Sequence, residues 1–394
     1  MKGTLLIVGG GLRASADQVF SALIEKAGGP RSKIAFIVTA SGEGPDELFR
    51  SYREDLVRLG LPAENCILVP IYAQHVRDER GYNAMTGDAE GLCSCLDGVT
   101  GVWFTGGDQY FTNQCLIRPD GSDTALLTRL RDIYANGGVI GGSSAGAANM
   151  SRVMIGSGNN RGVLAGPVIY GYADYDEQCE KDDPCDPLLL CQGLGFFTEG
   201  IVDQHFNKRP RLMRLIQACF SNREGVRMGY AVSEDTALVY HQGSIQVLGS
   251  AGVYLVNCRA AEQTGNGCYR GVVLHALHQG DSYDTASGAV CLAQPTPAKD
   301  KDFYPDYIND GIINSPVFDG MIEEKLLRGV DASLETDAES GLPCIHGAVA
   351  YDVHGRTFLV KLDYLRRPDT AGYRRDHTSF TNVGLRIRSV EVAI

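Results

Sequence analysis

The chain has no excess of positive charge: 36 lysines and arginines stand against 48 aspartates and glutamates, a formal net charge of −12 with histidine neutral. Nucleic acids and anionic membranes are bound through basic surfaces, so this balance argues against both as general partners. A small or zwitterionic substrate fits better. Long hydrophobic runs are also missing, and no window approaches the ~20 apolar residues of a membrane span. Met1-Lys2-Gly3 passes straight into the strand-like Thr4-Leu5-Leu6-Ile7-Val8. An export signal would need an apolar stretch of about 7–15 residues and a small-residue cleavage site there. A cytoplasmic protein is the expectation. Internal repeats are absent, and histidine is scarce at eight residues, which narrows the choice of a catalytic base.

Cysteine is plentiful, with twelve residues. Several lie in apolar settings, such as Cys66 in Asn65-Cys66-Ile67-Leu68-Val69 and Cys219 in Ala218-Cys219-Phe220, where a buried thiol acts as a small hydrophobe. Cys179, Cys185 and Cys191 share a short acidic segment. Their spacing matches none of the common zinc patterns and no histidine is close in sequence, so a disulfide or free thiols are expected there rather than a metal.

At 394 residues the chain is long enough for a sizeable core, in one large domain with an appendage or in two modest ones. Its first half alternates short apolar runs with amphipathic stretches, the pattern of a parallel sheet covered by helices on both faces. The spacing predicts strands at Thr4–Val8, Lys33–Thr39, Cys66–Pro70, Gly101–Phe104 and Gly138–Gly141. Asp17–Lys26 and Pro45–Leu59 read as covering helices, with Val19, Phe20, Leu23 and Ile24 on one face of the first. Ligands of such sheets collect beyond the carboxyl ends of the strands. Loops opening with Gly9-Gly10-Gly11, Thr39-Ala40-Ser41, Thr105-Gly106-Gly107 and Gly142-Ser143-Ser144 should therefore share one rim.

Beyond that, residues 158–192 are rich in Gly, Asp, Pro and Tyr and read as an inserted loop or lid. Strand-like pieces return at Gly229–Tyr240, Ser244–Leu248 and Gly252–Val256, with Gln242-Gly243 marking a hairpin. Pro295, Pro297 and Lys299-Asp300-Lys301-Asp302 resemble a linker. The expected division is a catalytic domain over 1–292, carrying the 158–192 insertion, and a small mixed or β-rich carboxyl-terminal extension over 293–394.

The motif with most chemistry in it is Gly142-Ser143-Ser144-Ala145-Gly146-Ala147, after the apolar Gly138-Val139-Ile140. A strand that turns sharply into a helix between glycines leaves a serine exposed at the sheet edge, with the next backbone N–H groups aimed at a substrate carbonyl. Ser144 then needs a base, and the base needs an acid to orient it. His205, in Val202-Asp203-Gln204-His205-Phe206, follows the apolar Gly200-Ile201-Val202 and is the candidate base. Asp203, Gln204, Lys208, Arg209, Arg211 and Arg214 crowd beside it, ahead of a helix predicted to start near Pro210. Arg211 and Arg214 stand three apart on one face. They read either as a clamp for a carboxylate, which a guanidinium matches bidentately, or as an ordinary solvated helix face. Glu234, between two strand-like runs, is the candidate acid. This order, Ser then His then acid, departs from the Ser, acid, His of α/β-hydrolases.

Taken together, Phe104-Thr105-Gly106-Gly107-Asp108-Gln109, the Ser144 turn, Asp203-Gln204-His205-Phe206 with Arg209, Arg211 and Arg214, and Ser233-Glu234-Asp235-Thr236-Ala237-Leu238 resemble the cyanophycinases. These belong to a serine exopeptidase group that also contains aspartyl dipeptidases. The four motifs occur in the family's order and approximate spacing, and the likeness covers about residues 1–290. It implies a glutamine-amidotransferase-like α/β fold and a Ser144–His205–Glu234 triad. It also implies hydrolysis of cyanophycin, a poly-aspartate with arginine on each β-carboxyl, from a chain end to β-Asp-Arg dipeptides. Gln109, Asp203, Gln204, Arg209, Arg211 and Arg214 fall on positions the family uses for substrate. Backbone N–H groups of Gly107 and Ala145 are the candidate oxyanion hole. No metal or organic cofactor is required, and a homodimer is expected by analogy. An Asp-X dipeptidase and a non-catalytic amidotransferase-like scaffold are the alternatives. The chain departs from its relatives in Leu12-Arg13-Ala14, where they often carry acidic residues, in the insertion and in the long tail.

Overall fold

Continuous apolar runs at the start of the chain become strands buried on both faces, as parallel sheets require. In the computed structural model, which describes residues 3–41, 45–71, 87–174, 183–209, 211–293, 335–374 and 378–392, these are β1 (Thr4–Val8), β2 (Ile34–Ile37), β3 (Cys66–Leu68), β4 (Gly101–Phe104) and β5 (Val139–Ser143). The crossovers are helical: α1 (Ala16–Lys26), α2 (Pro45–Arg58), α3 (Gln109–Leu116) and α4 (Ala125–Ala135). The strands match the predicted ones to within a few residues at their ends. Cys179, Pro210 and the linker-like stretch 295–302 lie outside the described residues.

After β5 comes the four-residue helix α5 (Ala145–Ala148), then β6 (Val153–Ser157), α6 (Asn160–Ala165), β7 (Ile169–Tyr170) and β8 (Leu189–Gln192). The segment expected as an inserted loop or lid thus holds regular structure, with β7 and β8 joining β6 in a small three-stranded sheet. Next follow β9 (Ile201–Asp203), α7 (Leu212–Ser221), β10 (Met228–Val232), β11 (Thr236–His241), β12 (Ser244–Gly249), β13 (Val253–Asn257), β14 (Glu262–Gly265) and β15 (Cys268–Leu277). The strands β16 (Ser282–Asp284), β17 (Val290–Cys291), β18 (Glu335–Thr336), β19 (Pro343–Val353), β20 (Arg356–Arg374) and β21 (Thr378–Val392) complete the order. The predicted hairpin joins β11 to β12, with Gln242 (φ 49°) and Gly243 (φ 87°) in the turn.

Two large sheets result. The first runs β17-β16-β12-β11-β1-β5-β4-β2-β3, its parallel half flanked by an antiparallel one. The second runs β18-β19-β20-β21-β15-β13-β10-β9. Alternation along β1 divides the packing: Leu6 and Val8 meet Val19, Phe20 and Leu23 of α1, while Leu5 and Ile7 face Leu126, Leu130 and the second sheet's Val202, Tyr230 and Val253. The far face of the second sheet buries Ile201, Ala231 and Leu274 against Leu212, Leu215 and Ile216 of α7 and against Val360, Leu362 and Leu385 of the tail. The carboxyl-terminal strands therefore enter a core of the catalytic unit directly, through the β15–β21 pairing.

Candidate active site

The carboxyl ends of β1, β4, β5, β9 and β10 open onto one rim. Ser144 occupies the turn from β5 into α5 with φ 56° and ψ −110°, a conformation that non-glycine residues hold only when their surroundings impose it. Its N–H donates to the Val8 carbonyl at 3.0 Å, which fixes the turn to the end of β1. Gly146 allows the helix to start there, because a Cβ at that position would lie 2.5 Å from the Phe104 carbonyl oxygen. Ser144 Oγ is 2.7 Å from His205 Nε2, and His205 Nδ1 is 2.7 Å from Glu234 Oε1. The serine hydroxyl donates to a neutral imidazole whose Nδ1–H donates to the carboxylate.

His205 comes from the second sheet, at the end of β9, and Ser144 from the first. The seam between them is closed by the glycine loop after β1. His205 N–H donates to the Gly9 carbonyl at 2.7 Å, and Asp235 N–H donates to the Gly10 carbonyl at 2.8 Å. Gly10, at φ 103°, passes so close beneath the imidazole that a Cβ would collide with the His205 ring. Glu234 sits where the chain crosses from β10 to β11, its N–H donating to Asn207 Oδ1 at 2.9 Å. Asp235 binds the Arg13 and Ser15 N–H groups at 2.7 and 3.0 Å, so the Leu12-Arg13-Ala14 loop is anchored to the residue after Glu234. The glycine run was legible as part of the rim. Asn207 and Asp235 carry no signal of their own in the sequence.

Burial holds the His205 imidazole below the usual histidine range, and the Arg209 and Arg211 charges add to this while Glu234 opposes it. The base is consequently neutral, able to accept a proton, around neutral pH. Facing it, Gly106 lies against Ser144, with a hypothetical Cβ 3.3 Å from the serine Cβ. Among the described residues the N–H groups of Gly107 and Ala145 have no backbone acceptor. Asp108 caps α3 through Tyr110 N–H at 2.9 Å, and the Gln109 amide donates to the Gly156 carbonyl, joining the rim to the small sheet.

The arginine cluster is not a solvated helix face. The helix starts at Leu212, with Arg211 at its N-cap, and both Arg211 and Arg214 are buried. Arg214 forks onto Asp203 at 2.9 and 2.5 Å and donates to the Gly158 carbonyl at 2.5 Å, so each of its three nitrogens holds an acceptor. Arg211 donates to the Gln204 backbone and side-chain oxygens at 2.6 and 2.7 Å and stands 3.6 Å from Asp203. Its pKa is pushed down to about 9 by burial and by the neighbouring Arg214 charge. Asp186 of the insertion accepts from Ser157 Oγ at 2.6 Å and Gly158 N–H at 2.7 Å beside these groups. The rim thus sets the Ser144–His205–Glu234 hydrogen-bonded chain beside two buried arginines held by Asp203 and Gln204.

Residues 5–248 match the profile of peptidase family S51. Among known proteins, the cyanophycinases of Synechococcus elongatus and of Thermosynechococcus vestitus are each 28% identical over 309 residues, spanning 75% of this chain and 84% of theirs. The cyanophycinase of Geminocystis herdmanii is 28% identical over 296 residues, 72% of this chain and 94% of that one. The crystal structure of a peptidase from an acI-B1 Actinobacterium superposes with a TM-score of 0.49 at 19% identity, over 72% of this chain and 97% of the other. Among the described residues no helix is long and apolar enough to cross a membrane. The profile spans well over half of the chain and includes all three residues of the hydrogen-bonded relay. The chain is a serine-type peptidase and belongs to peptidase family S51.

Proposed function

We propose that Ser144, His205 and Glu234 act as the catalytic triad of an exopeptidase that cleaves cyanophycin to β-Asp-Arg dipeptides. The observation that carries this reading is the continuous relay from Ser144 Oγ through His205 to Glu234, 2.7 Å at each step, beside a cluster of guanidinium groups. In the acylation step His205 Nε2 takes the hydroxyl proton as Ser144 Oγ attacks the scissile carbonyl, and Glu234 stabilises the imidazolium. The Gly107 and Ala145 N–H groups receive the developing oxyanion. Donors of that kind are worth about 10²–10³ in turnover. His205 then gives its proton to the leaving amine, and water, deprotonated by the same imidazole, releases the acyl group and regenerates Ser144.

The substrate residues divide into two proposed roles. Arg214 and Asp203 bind each other and act as supports that hold the wall in place. Arg211, Gln204, Arg209 and Gln109 are the groups assigned to the substrate, with Arg211 and Arg209 supplying charge to a terminal carboxylate. An internal aspartate of the polymer, its backbone carboxyl tied up in peptide linkage, offers no such partner, which favours attack from a chain end.

Incubation with insoluble cyanophycin and mass analysis of the soluble products tests the reading. The protein is expected to release β-Asp-Arg, and Ser144→Ala to lose that release by on the order of 10⁴–10⁶-fold with the fold intact. Free aspartate from short Asp-X peptides with the polymer untouched would reassign the enzyme as an aspartyl dipeptidase. The Gly158 and Asp186 wall supplied by the insertion is the feature that favours that second reading.

A further inference from the structure

The insertion and the carboxyl-terminal hairpin, neither of which supplies a residue of the proposed triad, meet at a cluster of unlike donors. Asp183 and Cys185 lie just ahead of β8. His354 sits in the tight turn between β19 and β20, at φ 50° and followed by Gly355 at φ 76°. His354 Nε2 is 3.1 and 3.3 Å from the two carboxylate oxygens of Asp183. The Cys185 thiol is buried and reaches the carbonyl of Asp352, near the end of β19, at 3.9 Å. One donor atom from each of Asp183, Cys185 and His354 lies within 4.8 Å of the other two.

A surface ion pair accounts for the histidine and the carboxylate and core packing for Cys185, but neither calls for the three unlike donor atoms to converge on one point. Sulfur, imidazole nitrogen and carboxylate oxygen together are the donor set of zinc, whereas calcium and magnesium select oxygen alone. Tetrahedral zinc, with bonds of about 2.0–2.3 Å, separates its donor atoms by roughly 3.3–3.8 Å. Contraction from the present spacing is within reach of a side-chain rotation at His354, whose side chain is 55% exposed. The carboxylate is already oriented, since Asp183 Oδ1 accepts the Cys185 N–H at 2.8 Å, the kind of supporting bond that aims a metal ligand.

We propose that Asp183, Cys185 and His354 form a zinc site that fastens the insertion to the carboxyl-terminal hairpin, with the fourth position open to water. On binding, the Cys185 S–H bond breaks, its proton passes to solvent and a sulfur–zinc bond forms, with no change of oxidation state. Because Asp186, next to Cys185, holds Ser157 and Gly158 at the arginine cluster, the staple would also stiffen one wall of the cleft.

The test uses the full chain, stripped with chelator, loaded with zinc and freed of loosely held metal. About one zinc per chain is expected to remain, with a raised Tm, and cobalt loaded in its place is expected to give a thiolate-to-metal absorption band in the near ultraviolet. His354→Asn removes a ligand while keeping a residue that tolerates positive φ, so the turn survives. It is expected to abolish both the retained zinc and the gain in Tm, and Cys185→Ser to remove the cobalt band. Retention of no zinc by the parent, or equal retention by parent and His354→Asn, overturns the proposal. The other cysteines make the difference between parent and variant decisive rather than the total.

Discussion

The two large sheets differ in how they are assembled, and the candidate active site lies across the join. In the first, β2 is followed by its neighbour β3 and β4 by its neighbour β5 through nearby helices, and β1, β2, β4 and β5 are buried along their whole length. In the second, β9 pairs with β10, β10 with β13, β13 with β15 and β15 with β21, so that Tyr269 faces Ile387 across a gap of more than a hundred residues. The first sheet carries the proposed nucleophile, Ser144, on a locally encoded turn. The second carries the proposed base, His205, and its position depends on everything packed behind it. Efficient chemistry requires reacting groups held to well under an ångström, so the glycine loop that ties His205 to β1 is as necessary to the relay as the relay residues themselves.

The sharpest way to break this arrangement is at Gly10. A methyl group there meets the His205 ring, and alanine also resists the φ of 103°. Gly10→Ala is expected to lower kcat by about 10²-fold or more through displacement of the imidazole, with the far-ultraviolet spectrum unchanged. Wild-type turnover in a folded Gly10→Ala variant would show that the two sheets need not be joined at this point.

A second variant asks whether the tail belongs to the same cooperative unit. Leu362 is fully buried with Leu212, Leu215 and Tyr269 of the catalytic part, as Leu5 is in the core between the sheets. Truncating either leucine to alanine is expected to cost about 2–5 kcal/mol, in a single unfolding transition that activity and circular dichroism report together. An early transition in Leu362→Ala that leaves activity intact would mark the tail as a separate domain.

These contrasts also explain what the sequence makes legible. The parallel strands and the Ser144 turn are readable because their signals are local: an apolar run, a glycine, a serine. His205 and Glu234 become readable only when several motifs are taken in order. The inward turn of Arg214 is not readable, since it depends on Asp203 and on the Gly158 carbonyl of the insertion, groups from different segments. The same holds for His354, which lies 171 residues from Asp183 and is brought to it only by the β19–β20 hairpin. The spacing rules for metal ligands see a cysteine cluster without a histidine there. The tail reads as a separate unit for the same reason: its alternating strands carry no mark of the strand they will pair with.

The smallest expected effect sharpens the electrostatic side of the comparison. His205 is depressed first by burial and then by Arg209 and Arg211, with Glu234 pulling the other way. Its protonated form cannot accept the Ser144 proton, so kcat/KM should fall as pH drops through the folded pKa, below the ordinary value of about 6.5. Stability moves in the same sense. Between the two pKa values the unfolded chain binds more protons at this residue than the folded one, so the contribution of His205 is lost as pH falls through that window and is flat above it. Arg209→Gln removes one of the depressing charges without touching the relay. Because Arg209 is exposed, solvent screens its charge, and the acid limb of the kcat/KM profile should move only slightly, toward higher pH. An unmoved limb would leave burial and Arg211 as the causes of the depressed value, and the charge of Arg209 would then act on the substrate and not on the base.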